Sequence, residues 1–410
     1  RGEELLCLRS FVYCWPPVSY IYCQGPEGMH VDEERYQKEM RKMTQEELTI
    51  ENIGQDLDDL MNLDPRGYGV CRILYKASRE YMKEPLTTKC AKALIDTVQE
   101  GDVVYILTGF VLLPFKKAEM DGIVSAMFLA RCLVKAFGAK PVIICPEDNM
   151  EAVHKLSEVM GLHLYDSIQE ILDMPISMAA IPFTKDPVKA KQQAEEIIVA
   201  AKPAAVVSIE APGPNEKGVY HNATGLDVTE IEAKTDVLFQ ILRNMGVLNI
   251  AIGDLGNEIG MGTIREHIQR YVPYAEPGGC QCGCGGGIAT SSEADYILTA
   301  TTSDWGCYGM MAAIAFLKGD VDIFQDPDLQ EYAMKESAKA GMIDMYGWMI
   351  PAIDGFGIEI NRSIVSMMRE CISYALKLKE TCRHHFVRVL NKHFYDMPED
   401  TTDVPTDMTA

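Results

Sequence analysis

Two carboxylates, one amide and four glycines fall within the eleven residues Ile252-Gly253-Asp254-Leu255-Gly256-Asn257-Glu258-Ile259-Gly260-Met261-Gly262. An apolar run, Val247 to Ala251, precedes them and reads as a buried parallel strand. Glycines allow positive φ and close approach of a ligand to the backbone. Carboxylates at the end of a buried strand can move protons or hold a cation. A loop that only turned the chain would not need this density of polar groups, so the segment is read as functional.

Comparable groups recur after other apolar runs. Thr108-Gly109 follows Val103 to Leu107, and Glu210-Ala211-Pro212-Gly213 follows Ala204 to Ile209. Thr301-Thr302-Ser303-Asp304-Trp305-Gly306 follows Tyr296 to Ala300. In open α/β sheets, ligands bind outside the carboxyl ends of the strands, so these loops should line one crevice. Asp121 stands beside the first of these strand ends and can N-cap the helix that follows. Asp304 can likewise be a helix cap or a site group. Lys116 and Lys117 are paired lysines that could hold a carboxylate or simply be solvated. His221 could act as an acid or base, although a lone histidine says little.

The elements that must position these groups alternate along the chain. Helix-prone stretches cover about 71–83 and 86–98, after a breaker cluster at Asp64-Pro65-Arg66-Gly67. A strand over 103–107, a helix after Asp121 that ends at Gly138, and a strand over 141–145 make one β-α-β unit. Strands over 178–181, 204–209, 247–252 and 296–300 follow, with helices over 187–201, 227–245 and 307–317. Asp227 and Glu230 have the spacing of a capping box for the second of these helices. The alternation predicts an α/β fold: a doubly wound, mostly parallel, Rossmann-like sheet with helices on both faces and added N- and C-terminal helices. The expected divisions are a poorly ordered leader or gene-boundary segment over 1–28, a helical N-terminal arm over 29–100 whose first part, about 29–62, reads as solvated, the α/β domain over 101–395 and a disordered acidic tail over 396–410. Five methionines (Met342, Met345, Met349, Met367 and Met368) read as core packing.

The chain has 410 residues, 38 basic against 60 acidic side chains, and a net charge of −22. That balance argues against nonspecific nucleic-acid binding and against docking on anionic membranes. The expected partner is a small molecule, and self-association into a homo-oligomer is compatible with the sequence. No apolar run reaches the roughly 18 residues of a membrane span. Thirteen cysteines, most of them single in apolar runs, fit reduced thiols in a cytoplasmic compartment, or in the mitochondrial matrix of a eukaryote. Cys280, Cys282 and Cys284 lie in a glycine-rich loop at C-x-C-x-C spacing. With no clear fourth ligand in the sequence nearby, an anion-binding nest is favoured there over a metal site. The P-loop, H-E-x-x-H and G-x-G-x-x-G patterns are missing from the sequence.

Taken together, the motifs resemble one family. Ser208-Ile209-Glu210-Ala211-Pro212-Gly213, Asn215-Glu216-Lys217-Gly218-Val219-Tyr220-His221-Asn222 with Gly225 and Asp227, the Ile252 to Gly262 loop, and Thr302-Ser303-Asp304-Trp305-Gly306 are similar to the C-terminal-type domain of the D-glutamate cyclase family. The resemblance covers roughly residues 60 to 390. It departs at Leu255, where the family has glycine, and at Asp304, where it has asparagine. Two-domain members carry a further N-terminal domain that this sequence does not show. The resemblance implies a lyase that converts D-glutamate to 5-oxo-D-proline and water by attack of the α-amine on the γ-carboxyl carbon. The reaction formally requires no cofactor, although Mg²⁺ or Mn²⁺ could neutralise charge. Glu210, Asp254 and Glu258 are then the expected catalytic carboxylates, with Glu258 as acid. Thr108, Gly109, Asp121, Asn222, Gly256, Asn257, Ser303, Asp304 and Trp305 are the expected substrate-binding groups, and no residue is assigned to a metal. The alternatives are a metal-assisted hydrolase or lyase acting on a small carboxylated or phosphorylated metabolite, and a non-catalytic amino-acid-binding module.

Overall fold

The computed structural model describes residues 40–378 and 383–398. The expected leader over 1–28, and the acidic tail from 399 on, lie outside them. The chain divides into two units. In the smaller, Met40–Arg41 and Met397–Pro398 pair as a short antiparallel ladder. The larger spans Thr44–Lys392 and carries the sheet.

It opens with three helices, α1 (Gln45–Met61), α2 (Val70–Met82) and α3 (Leu86–Thr97). Strands β1 (Val103–Thr108), β2 (Lys140–Cys145), β3 (His163–Tyr165), β4 (Ser177–Pro182), β5 (Ala205–Ile209), β6 (Leu248–Gly253) and β7 (Tyr296–Thr299) follow. Between and after them run α4 (Ile123–Phe137), α5 (Met150–Met160), α6 (Pro187–Ala200), α7 (Thr235–Asn244), α8 (Arg265–Tyr271), α9 (Ser303–Lys318), α10 (Pro327–Lys339), α11 (Ile358–Leu378) and α12 (Arg383–Leu390). The seven strands form one parallel sheet in the order β7-β6-β5-β1-β2-β4-β3. This is the doubly wound α/β architecture expected. The order reverses between β1 and β5, which is where such sheets open a crevice.

Burial accounts for the strand patterns. Every residue of β1 and β2 is buried, as parallel strands covered on both faces require. α9 is buried from Ser303 to Phe316 and α4 over most of its length, so both are apolar nearly all round. Gly138 closes α4 in the left-handed conformation, as its sequence position predicts.

Several expectations are corrected. α1 is no solvated arm: Thr44 and Glu47 form its capping box, and Leu48, Leu57 and Met61 are buried. The capping box at Asp227 does not form. Asp227 instead accepts the Thr229 N–H in a local turn, and α7 starts only at Thr235. α9 begins at Ser303 rather than Cys307, because Thr302 caps it by accepting the Trp305 N–H at 3.1 Å. Met342 and Met368 are buried, but Met345, Met349 and Met367 are exposed. Among the described residues no helix is long and apolar enough to cross a membrane.

Candidate active site

Hydrogen bonds carry the parallel register past the strand ends. The Gly109 N–H donates to the Glu210 carbonyl (3.1 Å), Glu210 N–H to Ile252 O (3.2 Å) and Ala300 N–H to Gly253 O (3.3 Å). The residues following β1, β5, β6 and β7 therefore meet at the same level. Glu210 takes φ +44°, a left-handed conformation disfavoured for a residue with a side chain. Gly122 (φ +81°) lies so close that a Cβ there would sit 2.5 Å from Glu210 Cβ and 2.9 Å from Thr108 Oγ1. A glycine is required at that contact.

Two sets of carboxylates converge on this crevice. Ligand oxygens of Glu210, Asp254 and Glu258 all lie within 4.8 Å of one another, and so do those of Asp121, Asp254 and Asp354. Asp254 belongs to both sets. Ser303 Oγ donates to Glu210 Oε2 at 2.5 Å. Asp121 and Asp304 hold the two helix entrances reciprocally. Asp121 accepts the Ser303 and Asp304 N–H groups at the start of α9 (3.0 and 2.8 Å). Asp304 accepts those of Gly122 and Ser125 at the start of α4 (2.9 and 3.1 Å), and the Tyr308 hydroxyl at 2.9 Å. Asp121 therefore caps the neighbouring helix and not its own, because Gly122 is the residue at its own helix's entrance.

Electrostatics follow from burial. Burial, reinforced by Glu258 and Asp121, pushes the Glu210 carboxyl well above the usual carboxylate range. Burial with Glu210 and Asp354 does the same to Asp254, and burial with Asp304 and Asp354 to Asp121. Burial also raises Glu119, two residues before Asp121, and Asp354 adds to it. Asp304 is pushed up only to about 6, because its hydrogen bonds offset part of the burial. One guanidinium faces this charge. Arg66 pairs with Asp354 at 3.0 Å, donates to Thr301 O at 2.7 Å and stacks on Phe356. Burial opposes its charge, but Asp354, Asp254 and Asp121 more than offset it and raise its pKa.

Other expected binding groups are engaged in holding the loops. The Glu258 oxygens accept three backbone N–H groups, from Asp254 (2.9 Å), Leu255 (2.7 Å) and Gly256 (2.6 Å). With its oxygens taken up by three backbone donors, Glu258 folds the loop around Asp254. The Gly256 N–H is consumed by the same interaction. Asn257 Nδ2 donates to His221 O at 2.9 Å. Asn222 Oδ1 accepts the Thr224 and Leu226 N–H groups, closing a turn away from the carboxylates. Trp305 is fully buried, bonded to Asn361 (2.8 Å) and stacked on Phe356, so it anchors the start of α9. Lys116 and Lys117 are exposed. His221 lies among the cysteines of the glycine-rich loop, at 3.2 Å from Cys282 Sγ, and is no acid or base for the crevice.

Thr108, Asp121, Glu210, Asp254, Ser303 and Asp304 are thus brought together around one crevice. Sequence reasoning missed Arg66, Glu119 and Asp354. Asp354 carried a usable signal, since Ile353-Asp354-Gly355-Phe356-Gly357, like the Ile252 loop, sets an acid among glycines and apolar residues. Thr108 Oγ1 and both polar atoms of Asn149 are buried without a protein partner. Gly109 lies against Asn149, since a Cβ on the glycine would meet Asn149 Oδ1 at 2.8 Å.

A family model described as "D-glutamate cyclase-like, C-terminal" matches residues 57–369. The chain belongs to this family. A curated relative, "D-glutamate cyclase, mitochondrial" from Homo sapiens, is 31% identical over 113 residues. The matched stretch is 27% of this chain and spans 17% of that relative's length. The D-glutamate cyclase-like match includes every carboxylate of the crevice and Arg66.

Proposed function

We propose that this chain is a lyase that cyclises D-glutamate to 5-oxo-D-proline and water. The observation that carries the reading is the shared crevice of buried Glu210 and half-buried Asp254, two carboxyls whose proton affinities are both raised, at the switch point of the sheet. In the reaction a C–N bond forms, a C–O bond breaks, and the two protons lost by the ammonium end on the departing oxygen as water. A pair of carboxyls suits that traffic. The ionised member takes a proton from nitrogen, and the protonated member gives one to the γ-carboxyl oxygen. Folding the substrate into a ring-like pose supplies much of the remaining gain.

Charge supports the same assignment. A substrate with two carboxylates must enter a crevice that already holds Glu119, Asp121, Glu210, Asp254, Glu258, Asp304 and Asp354 beside Arg66. It can do so if burial keeps several of these carboxyls protonated, as the raised affinities favour. Arg66 is the cation for the α-carboxylate, exchanging it for Asp354. Glu258 positions the loop. In this reading the protein works in the cytoplasm, or in the matrix of a mitochondrion.

A second reading rests on the two oxygen sets that share Asp254. A hard divalent cation, Mg²⁺ or Mn²⁺, held there would neutralise the γ-carboxylate in place of a proton. Incubation with D- and L-glutamate, with and without EDTA, and chiral mass spectrometry of 5-oxoproline tests both. D-selective product in both arms supports the proton mechanism, and product lost in EDTA and restored by Mg²⁺ supports the metal. Binding of D-glutamate without product above the spontaneous rate would make the chain an amino-acid-binding module instead.

A further inference from the structure

Away from the carboxylates, the post-β5 loop brings His221 to the glycine-rich loop that bears Cys280, Cys282 and Cys284. Sulfur-to-sulfur distances are 3.5 Å for Cys280–Cys284 and 3.6 Å for Cys280–Cys282. His221 Nε2 lies 3.2 Å from Cys282 Sγ and 3.8 Å from Cys284 Sγ. All four candidate ligand atoms fall within 4.8 Å of one another. A tetrahedral zinc ion, with Zn–S of ~2.3 Å and Zn–N of ~2.0–2.1 Å, demands edges of roughly 3.8 Å between sulfurs and 3.6 Å between sulfur and nitrogen. The two sulfur–nitrogen distances fall on either side of their edge, and the two sulfur–sulfur distances lie a few tenths of an ångström below theirs. A disulfide would need ~2.05 Å, and all three cysteines are free.

From these observations we propose a structural zinc site formed by His221, Cys280, Cys282 and Cys284. Two neighbouring donors already reach one of the sulfurs. Asn215 Nδ2 donates to Cys284 Sγ at 3.3 Å and the Gly286 N–H to the same sulfur at 3.4 Å. Gly283, Gly285 and Gly287 all have positive φ, which turns the chain back between closely spaced ligands. The glycines of this loop serve its own sulfurs, which displaces the expectation of a nest for an external anion. Three thiolates and an imidazole select a soft or borderline ion over the hard cations that would suit the carboxylate crevice. The fourth ligand was invisible in sequence because it lies 59 residues before Cys280.

The site joins three loops. Asn215 and His221 belong to the loop after Glu210, and the cysteines to the loop before β7. Asn257, in the loop of Asp254, donates to the His221 carbonyl, and the Thr290 N–H donates to Gly256 O at 3.1 Å. The ion would therefore fix the loops that present Glu210 and Asp254 without touching substrate.

The test is metal analysis of the whole chain purified without chelator. About one zinc per chain is expected, the complement of one four-ligand site. The zinc should fall at least tenfold in Cys282→Ser/Cys284→Ser and remain in Asp254→Asn. Cobalt exchanged into the wild-type protein should show thiolate-to-cobalt charge-transfer absorption and tetrahedral d–d bands, a readout that needs no variant to fold. Wild-type protein that carries no zinc and takes none up on addition, zinc retained in the double variant, or a cobalt spectrum without thiolate bands would overturn the site.

Discussion

Asp58 and Glu210 are both buried, and Asp254 is half-buried beside Glu210, but their surroundings differ. Asp58, on α1, accepts four hydrogen bonds, from Leu86 N (2.7 Å), Thr87 N (3.0 Å), Thr87 Oγ1 (2.7 Å) and the Tyr75 hydroxyl (3.0 Å). Burial raises its pKa, and these donors limit the rise to about 6. Glu210 and Asp254 are set against other carboxylates, which add to burial instead of opposing it. A carboxylate used for structure is ringed by donors, whereas carboxyls gathered with their own kind hold protons that can be moved. The first arrangement stabilises α1 against α3, and the second costs stability at neutral pH.

The sharpest separation of the two regions comes from removing charge. Glu210→Gln should lower turnover by about 10²–10⁴-fold, the usual contribution of a positioned acid or base, with no loss in unfolding free energy. Asp58→Ala should do the reverse. Leaving two buried N–H groups unpaired costs about 3 kcal/mol, read by denaturant unfolding, with activity per folded molecule unchanged. Equal effects of both substitutions on both readouts would erase the distinction.

Next comes the pH dependence of stability. Asp304 binds its proton more tightly when folded, at about 6 against 3.8. Its contribution is therefore fully present below pH about 4 and is lost as pH rises through about 6. Unfolding free energy should fall across that window, and Asp304→Asn should flatten the fall by up to about 3 kcal/mol. An asparagine keeps an oxygen for the Gly122 and Ser125 N–H groups, so the cap survives. A smaller effect is expected of Ser303→Ala. It removes a hydrogen bond that favours ionised Glu210, so the limb of the pH–rate profile that Glu210 sets should move to higher pH, with turnover at its optimum changed only a few-fold (about 1 kcal/mol). An unmoved limb would show that Glu210 does not titrate in the rate.

The sheet was legible in sequence because β1, β2, β5 and β6 are buried runs with polar groups at one end, a local pattern that tertiary context reinforces. The polar residues after β5, β6 and β7 gave Glu210, Asp254 and Ser303 for the same reason. What misled was chemistry satisfied across long separations. Asp121 looked like a cap for α4 and instead caps α9, 182 residues away. Nothing local shows that Glu258 is taken up by three backbone N–H groups of its own loop. Arg66 read as part of a turn, because nothing local indicates that Asp354 lies opposite it. His221 was dismissed as a lone histidine because its cysteines are distant in the chain.

The central claim is that Asp254, common to both carboxylate sets, takes part in moving the protons of a D-glutamate cyclisation. The most direct measurement is the rate of 5-oxo-D-proline formation from saturating D-glutamate by wild type and Asp254→Asn, compared at equal folded fraction. The account predicts a loss of at least about 10²-fold in the variant, with D-glutamate still bound. Wild-type turnover in Asp254→Asn, or no product from the wild-type protein, would contradict it.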